Sequence, residues 1–405
     1  MNSEKLTSEL DPDCDVIVVG SGFAGIYALW QARQRGLSLR GFERGSDVGG
    51  TWYWNTYPGA RCDVESYNYA YFFDKDIVRD WDWSDACAGQ EEIQRYLRFV
   101  AERCDVLNDI SFDTKIVSAV HSEESGLWTV TTSHKERIVC RYLVLAIGAL
   151  SEPKTPDIDG VDTFSGDTYF TSNWPKDHTV DLTGKRVGIV GTGSSGVQAI
   201  PEIAKTASEV HVFQRTANYV TPTRSGPMDP DLVAKLRKDP HAVRQASRET
   251  YGGHTPLDIG KERFLELDKA GRERALSEAW DGTYVPLAFR DAYLPEANAA
   301  ISDFIRGKML EQVNDSWTAN HLVPWDHPFG GKRPCMSNVY LQTYNLPHVH
   351  LVPLSETPIE RITTDGIETT EELIPLDVIV YATGFDAISG PLFAIDISGI
   401  SGKSI

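Results

Sequence analysis

Two stretches of this 405-residue chain carry glycines at the spacing that lets a backbone close around a pyrophosphate. Gly20-Ser21-Gly22-Phe23-Ala24-Gly25 follows the apolar run Asp15-Val16-Ile17-Val18-Val19, and Gly191-Thr192-Gly193-Ser194-Ser195-Gly196 follows Arg186-Val187-Gly188-Ile189-Val190. In such a loop the first glycine makes the tight turn, the second admits the diphosphate to backbone N–H groups, and the third lets helix and strand pack closely. Phosphate charge then rests on a helix N-terminus. A single GxGxxG arises by chance as an ordinary turn; two in a strand–turn–helix setting read as two dinucleotide sites. The tips of the following strands set the copies apart. Glu43 lies 18 residues beyond Gly25, and a carboxylate there suits a bare ribose, as in FAD or NAD. Arg215 lies 19 residues beyond Gly196, and a guanidinium there suits the 2′-phosphate of NADP, with the Thr216 hydroxyl as a further donor. The weaker reading of Arg215 alone is a solvated surface cation.

The elements that must position these loops follow from apolar periodicity. The first glycine loop opens a helix expected over Ala24 to Arg35, stopped by Gly36, and the second opens another. Each half closes on a similar strand, Leu143-Val144-Leu145-Ala146-Ile147-Gly148 and Val378-Ile379-Val380-Tyr381-Ala382-Thr383-Gly384. The fold class is therefore α/β: two doubly wound, Rossmann-like dinucleotide-binding domains with a helical insertion in the second. The first domain is expected over 1–148. A linker and the first part of the second domain occupy 149–221, the insertion 222–330, and the rest of the second domain 331–384, while 385–405 return to the first domain. Within the insertion, Lys261 to Trp280 and Asn298 to Val313 read as helices, serving as a lid, a pocket wall or plain structural cover.

Composition narrows the function. Fifty-eight acidic against 39 basic side chains leave a net charge of −19, which repels nucleic-acid backbones and anionic lipid surfaces alike. No run of 18 apolar residues is present, and the N-terminal MNSEKLTSELDPDCD is polar and acidic, so a soluble cytoplasmic protein is expected. The six cysteines, at 14, 62, 87, 104, 140 and 335, lack metal-ligand or CxxC spacing and read as reduced, buried thiols. The sequon at Asn314 is then idle. His348-Val349-His350 would set two imidazoles on one strand face without a third ligand nearby, so no metal is expected. Ser194-Ser195 lies in a phosphate turn and lacks the GxSxG frame of a hydrolase elbow.

A third motif specifies the chemistry. Gly49-Gly50-Thr51-Trp52-Tyr53-Trp54-Asn55-Thr56-Tyr57-Pro58-Gly59-Ala60-Arg61-Cys62-Asp63 meets the pattern [A/G]GxWxxxx[F/Y]P[G/M]xxxD at every fixed position. On their own, Trp52, Tyr53, Trp54 and Tyr57 pack a core as readily as they contact a flavin ring. Lys332-Arg333 on its own is a surface basic pair, and Asp63 an exposed loop acid. A disulfide reductase of this architecture would carry a cysteine pair after the first double glycine; Thr51-Trp52-Tyr53-Trp54 stands there instead, leaving oxygen as the natural electron acceptor. With Val212-Phe213-Gln214-Arg215-Thr216, Gly331-Lys332-Arg333-Pro334 and Ala382-Thr383-Gly384-Phe385-Asp386, the chain resembles the type I Baeyer-Villiger monooxygenases over essentially its whole length. The likeness is to the phenylacetone and cyclohexanone monooxygenase group in particular.

The resemblance implies FAD in the first domain, NADPH in the second, and a small-molecule ketone and O2 as reactants. In that family, NADPH reduces the flavin, oxygen adds at its C4a carbon, and the resulting peroxide attacks the ketone to give an ester or lactone. By position, Arg333 is the catalytic cation, because a guanidinium cannot lose its proton while it stabilises negative charge. Asp63 would orient it through a bidentate pair. The implied cofactor contacts are Gly20, Gly22, Gly25, Glu43, Thr51, Trp52, Trp54, Asp63 and Tyr69. For the second dinucleotide they are Gly191, Thr192, Gly193, Ser194, Ser195, Gly196, Arg215 and Thr216, with Lys332 facing the NADP phosphate.

Two departures from the family pattern stand out. The family's linker fingerprint FxGxxxHxxxW[P/D] is met by Phe164 to Pro175 except that Phe170 replaces the histidine. An imidazole can hydrogen-bond and titrate, whereas phenylalanine can only pack, so altered domain coupling is expected. His178, four residues beyond Trp174, is not expected to substitute. Members of the family also continue for a further domain-sized stretch, so the chain is expected to be C-terminally incomplete. Two alternatives remain: a flavin monooxygenase acting on nitrogen or sulfur, and an inactive paralogue that only binds a dinucleotide.

Overall fold

The computed structural model describes residues 11–250, 253, 263–282, 285, 288–399 and 402–404. The chain forms two compact units, one from Met1–Asn55, Glu91–Lys154 and Phe385–Ile405, the other from Thr56–Gln90 and Thr155–Gly384.

In the first unit, β1 (Cys14–Val19) is almost uniformly buried, as a parallel strand covered on both faces must be. It leads through the first glycine loop into α1 (Phe23–Gln34), which stops where Gly36 turns left-handed at φ 68°. There the Gly36 and Leu37 amides donate back to the Arg33 and Ala32 carbonyls. β2 (Leu39–Phe42) pairs parallel with β1, and β3 (Ile110–Ser111) pairs parallel with β2. β4 (Ile116–His121), β5 (Trp128–Thr132) and β6 (Arg137–Leu145) form an antiparallel meander. The sheet order is Asp396–Ser398, β4, β5, β6, β1, β2, β3. β6 serves two partners: Arg137–Cys140 pair with β5, while Cys140–Leu145 run parallel to β1. Only the second half carries the continuous apolar run visible in the sequence. The core gathers Ile17, Phe42, Ile116, Val130, Ile138 and Ile397.

The second unit repeats the plan. β7 (Asp167–Phe170), β8 (Arg186–Val190), β9 (Glu209–Gln214), β10 (Val349–Pro353) and β11 (Val378–Tyr381) form a fully parallel sheet ordered β10, β9, β8, β11, β7. α3 (Ser194–Ile203) starts in the second glycine loop. An antiparallel meander of Ile359–Ile362, Gly366–Thr369 and Leu373–Pro375 stands apart. Between Pro222 and Gly330 the described residues hold helices Pro230–Lys238, Pro240–Arg248, Lys269–Gly282, Pro295–Leu310 and Ser316–Leu322.

Three expected boundaries shift: the helix expected over Asn298 to Val313 runs Pro295–Leu310, with Pro295 at its first turn. The helix expected over Lys261 to Trp280 begins only at Lys269. Lys261 and Glu262 lie outside the described residues, and Phe264–Glu266 form a 3₁₀ turn. That turn is held because the Asp291 carboxylate accepts from the Phe264 and Leu265 amides, while Asp268 accepts from Gly271 at 2.7 Å and starts the helix late. Residues 56–90, grouped with the first domain by their place in the sequence, pack into the second unit. There the Cys87 and Gly226 amides donate to the Asp85 carboxylate, and Arg224 pairs with Glu65.

Candidate functional site

The two glycine loops have nearly identical constraints. Gly20 has φ 96° and Gly191 φ 112°. A methyl group on either would lie 2.5 Å from a carbonyl oxygen, that of Ala146 or of Ala382, each just past the closing strand of its unit. A methyl on Gly25 would sit 1.8 Å from the Gly20 oxygen and one on Gly196 2.3 Å from the Gly191 oxygen, so helix and strand touch through bare backbone. The middle glycines differ from these. Gly193 has nothing within 4 Å of a hypothetical methyl, and Gly22 meets only the Gly50 backbone, its Cα at 3.4 Å and its nitrogen at 3.8 Å. Both are helix N-caps without a side-chain cap, and neither helix has an acid in its first turn. Open space beside uncapped N–H donors at the positive end of a helix is the shape and charge a diphosphate fits. On this test the residues present fit a dinucleotide in each unit.

Glu43, at the end of β2, is only 4% exposed. Its carboxylate accepts from the Ser21 amide at 2.8 Å, the Ser21 hydroxyl at 3.0 Å and the Gly45 amide at 2.9 Å, which braces the first loop and leaves one lone pair for a ribose hydroxyl. α2 (Thr51–Trp54) follows, with Trp52 buried and Thr51 exposed. The Arg44 guanidinium lies 4.6 Å from the Trp54 ring centroid, and Tyr53 packs edge-on against Trp54 at 4.9 Å. Arg44, which the motif does not mark, thus holds the second tryptophan, and its own side chain bonds the Ser151 carbonyl.

At the matching tip in the second unit Arg215 is exposed, as is Lys332, and among the described residues neither forms an ion pair. Arg215 is thus an exposed cation open to a phosphate, while Lys332 feels the charge of Asp326 without an ion pair to it. Thr216 is half-buried and its carbonyl accepts from the Thr192 hydroxyl at 3.3 Å.

Asp63 and Arg333, 270 residues apart in sequence, meet in the second unit with Oδ2 and Nη2 2.8 Å apart. The pair has one bond, not the expected two, because the other carboxylate oxygen accepts from Gln198 Nε2 at 3.1 Å. Asp63 is also not an exposed loop acid: its side chain is 11% exposed against 68% for Arg333. Burial holds the Asp63 carboxyl above the usual carboxylate range, although Arg333 and Gln198 both pull it down. Tyr69 feels the charges of Cys62, Asp63 and Arg333, and burial pushes its phenol well up. The Arg333 carbonyl accepts from Asn218 Nδ2 at 2.8 Å, and the buried Cys335 thiol lies 3.9 Å from the Ser194 hydroxyl. Asn218 Oδ1 is buried without a partner, an acceptor left over beside the arginine. Sequence reasoning missed Gln198 and Asn218; the only local signal for Gln198 is its place one turn into the helix that opens in a GxGxxG loop.

Phe170 ends β7 opposite Tyr381 of β11, their rings 5.1 Å apart. His178 bonds Asp177 at the surface. His348 and His350 do not converge: His348 bonds the Ala204 carbonyl at 2.9 Å, and His350 stacks on His211 at 5.0 Å. Among the described residues no group of three metal-ligating side chains is present, and no helix is long and apolar enough to cross a membrane.

A profile of the flavin-binding monooxygenase-like family matches residues 13–229. The chain belongs to that family. Among its relatives in the flavin-binding monooxygenase-like family, 2-oxo-Δ3-4,5,5-trimethylcyclopentenylacetyl-CoA monooxygenase of Pseudomonas putida is 42% identical over 397 residues, covering 96% of this chain and 73% of the relative. Phenazine N-monooxygenase PhzNO1 of Lysobacter antibioticus is 40% identical, with 96% and 73% covered. The crystal structure of OTEMO in complex with FAD and NADP superimposes with a TM-score of 0.93 at 41% identity, covering 97% of this chain and 75% of that one. Baeyer-Villiger monooxygenases are among the other family members matched. The resemblance read from the motifs and the doubly wound α/β fold both stand. The chain spans about three quarters of the length of these relatives.

Proposed function

We propose that this chain is an FAD- and NADPH-dependent monooxygenase that inserts one atom of O2 next to a ketone carbonyl, giving an ester or lactone. The observation that carries the proposal is the largely enclosed Asp63 carboxylate 2.8 Å from an Arg333 guanidinium whose other donors stay open. A permanently charged donor, held from one side and free on the other, suits the negative charge that develops when oxygen adds to a carbonyl carbon. Asp63 aims the guanidinium; Arg333 steadies the oxyanion. Bound FAD would carry electrons from the nicotinamide to oxygen, chemistry that no side chain here performs.

Gly20, Gly22 and Gly25 would take the FAD diphosphate at the N-terminus of α1, with Glu43 accepting from its ribose. Thr51, Trp52 and Trp54 would face the flavin ring, with Asp63 and Tyr69 as further contacts. Gly191, Thr192, Gly193, Ser194, Ser195 and Gly196 would take the NADPH diphosphate, and Arg215, Thr216 and Lys332 its 2′-phosphate. A cytoplasmic location fits the need for NADPH and the buried free thiols of Cys14, Cys62, Cys87, Cys140 and Cys335. With a net charge of −19, small molecules are its partners rather than nucleic acid or membrane.

The test is ketone-dependent NADPH oxidation by the FAD-saturated chain, with product analysis, for wild type and Arg333→Met. Ester should form with wild type and fall about 100–1,000-fold in the variant, while reduction of the flavin by NADPH persists. Sulfoxide or N-oxide from thioether or amine substrates, with no ester from any ketone, would instead make it a nitrogen- or sulfur-oxygenating enzyme.

A further inference from the structure

We infer that Gln198 is the positioning residue of the Asp63–Arg333 pair, fastening the arginine to the helix that opens in the second phosphate loop. The inference rests on the monooxygenase reading above. Gln198 lies one turn into α3. Its Nε2 donates to Asp63 Oδ1 at 3.1 Å and to the Arg61 carbonyl at 3.2 Å. Its Oε1 accepts from the Tyr57 hydroxyl at 2.8 Å and the Arg61 amide at 3.3 Å. All of this amide's main hydrogen-bonding directions are used. Only one orientation serves: turned over, it would set its oxygen against the Asp63 carboxylate and its NH2 against the Arg61 amide.

The same helix face clamps the segment that carries Asp63. Gly59 has φ 81°, and a methyl there would lie 2.5 Å from the Gln198 carbonyl oxygen. Residues 57–63 therefore lie directly on α3, fixed by a close backbone approach, by Tyr57, by both backbone groups of Arg61, and finally by Asp63. Asp63 divides its two oxygens between Gln198 and Arg333. Without the amide, one buried oxygen would lose its donor, and the carboxylate would turn toward Arg333 or take up a proton. The groups acting on Asp63 or feeling its charge are Arg333, Gln198, Tyr57, Tyr69, Cys62 and Cys335. Of these, only Arg333 and Gln198 lower its proton affinity. The aim of the catalytic cation thus depends on the helix whose first N–H groups face the dinucleotide.

Two variants of the full chain test this. Gln198→Met keeps the length and removes the hydrogen bonds; Gln198→Glu can donate to Asp63 only while its own carboxyl is protonated. Gln198→Met should lower kcat for ketone about 10–100-fold with KM for NADPH little changed, and move the acid limb of kcat to higher pH. Gln198→Glu should keep activity on the acid side and lose it as pH rises, a signature that a merely structural role would not give. Independently of any cofactor, the melting-temperature shifts of Gln198→Met and Asp63→Ala should be non-additive in the double variant. Additive shifts with unchanged kcat and unchanged pH limbs would overturn the inference. If the wild type turned over no ketone, the monooxygenase reading would fall, while the melting cycle would still report the Gln198–Asp63 coupling.

Discussion

Burial keeps the Asp63 carboxyl above its ordinary range even with Arg333 at 2.8 Å and Gln198 on its other oxygen. A carboxyl raised in the folded state favours folding below its unfolded pKa, and that contribution is lost as pH rises through the raised value. Above that range the ionised carboxylate weakens folding, a cost in keeping with the role proposed for it beside Arg333. Asp63→Asn should melt at the same or a higher temperature at pH 7 while ketone turnover falls about 100-fold; a large drop in melting temperature would show the pair to be a stabilising bridge instead. The sign is opposite for Asp377. Arg186 and its backbone amide hold that carboxyl down to about 2, so its contribution is present at neutral pH and lost as pH falls below the usual carboxylate range toward 2. Much of the site was legible in the sequence, because diphosphate loops and strand tips act through neighbours a few residues away. Gln198 was not, since its bond to Asp63 spans 135 residues. The expected bidentate pair failed for the same reason: the competitor for the second oxygen comes from a distant helix.

Each glycine loop separates packing from binding within a few residues. A methyl on Gly196 would sit 2.3 Å from the Gly191 carbonyl oxygen, whereas a methyl on Gly193 meets nothing within 4 Å. Gly196→Ala should destabilise the chain by about 1–3 kcal/mol in chemical denaturation. Gly193→Ala should cost about 1 kcal/mol or less yet sharply raise KM for NADPH, because it fills space a phosphate would occupy. Equal losses of stability in both would contradict that division. At the end of β7, Phe170 stacks on Tyr381, whose hydroxyl is buried without a partner among the described residues. Phe170→His should raise coupled turnover and lower the share of NADPH lost as hydrogen peroxide; unchanged turnover and peroxide would show that phenylalanine serves this position fully. The central parallel strands β1, β8 and β11 were readable as apolar runs. The β4–β6 meander was not, since its strands mix buried and exposed residues without a period of two and β6 changes partner midway along its length.

Taken whole, the chain repeats one strand–loop–helix plan in two units and differentiates the copies by a carboxylate at one strand tip and a guanidinium at the other. Neither tip nor glycine loop reports on what lies between strands 100 residues apart, so the packing of residues 56–90 into the second unit has no signal in either motif. The acidic surface bears on solubility and partners, not on this plan. What the account claims above all is that these residues together oxygenate a ketone. The direct test is to supply the purified, FAD-saturated chain with NADPH, ¹⁸O₂ and a panel of cyclic and aryl ketones, and to weigh the products by mass spectrometry. The account predicts an ester or lactone carrying one ¹⁸O atom, formed in step with NADPH consumption and lost in Arg333→Met. Reduction of the flavin by NADPH with all of the labelled oxygen appearing as hydrogen peroxide, and none in any ester, would contradict it.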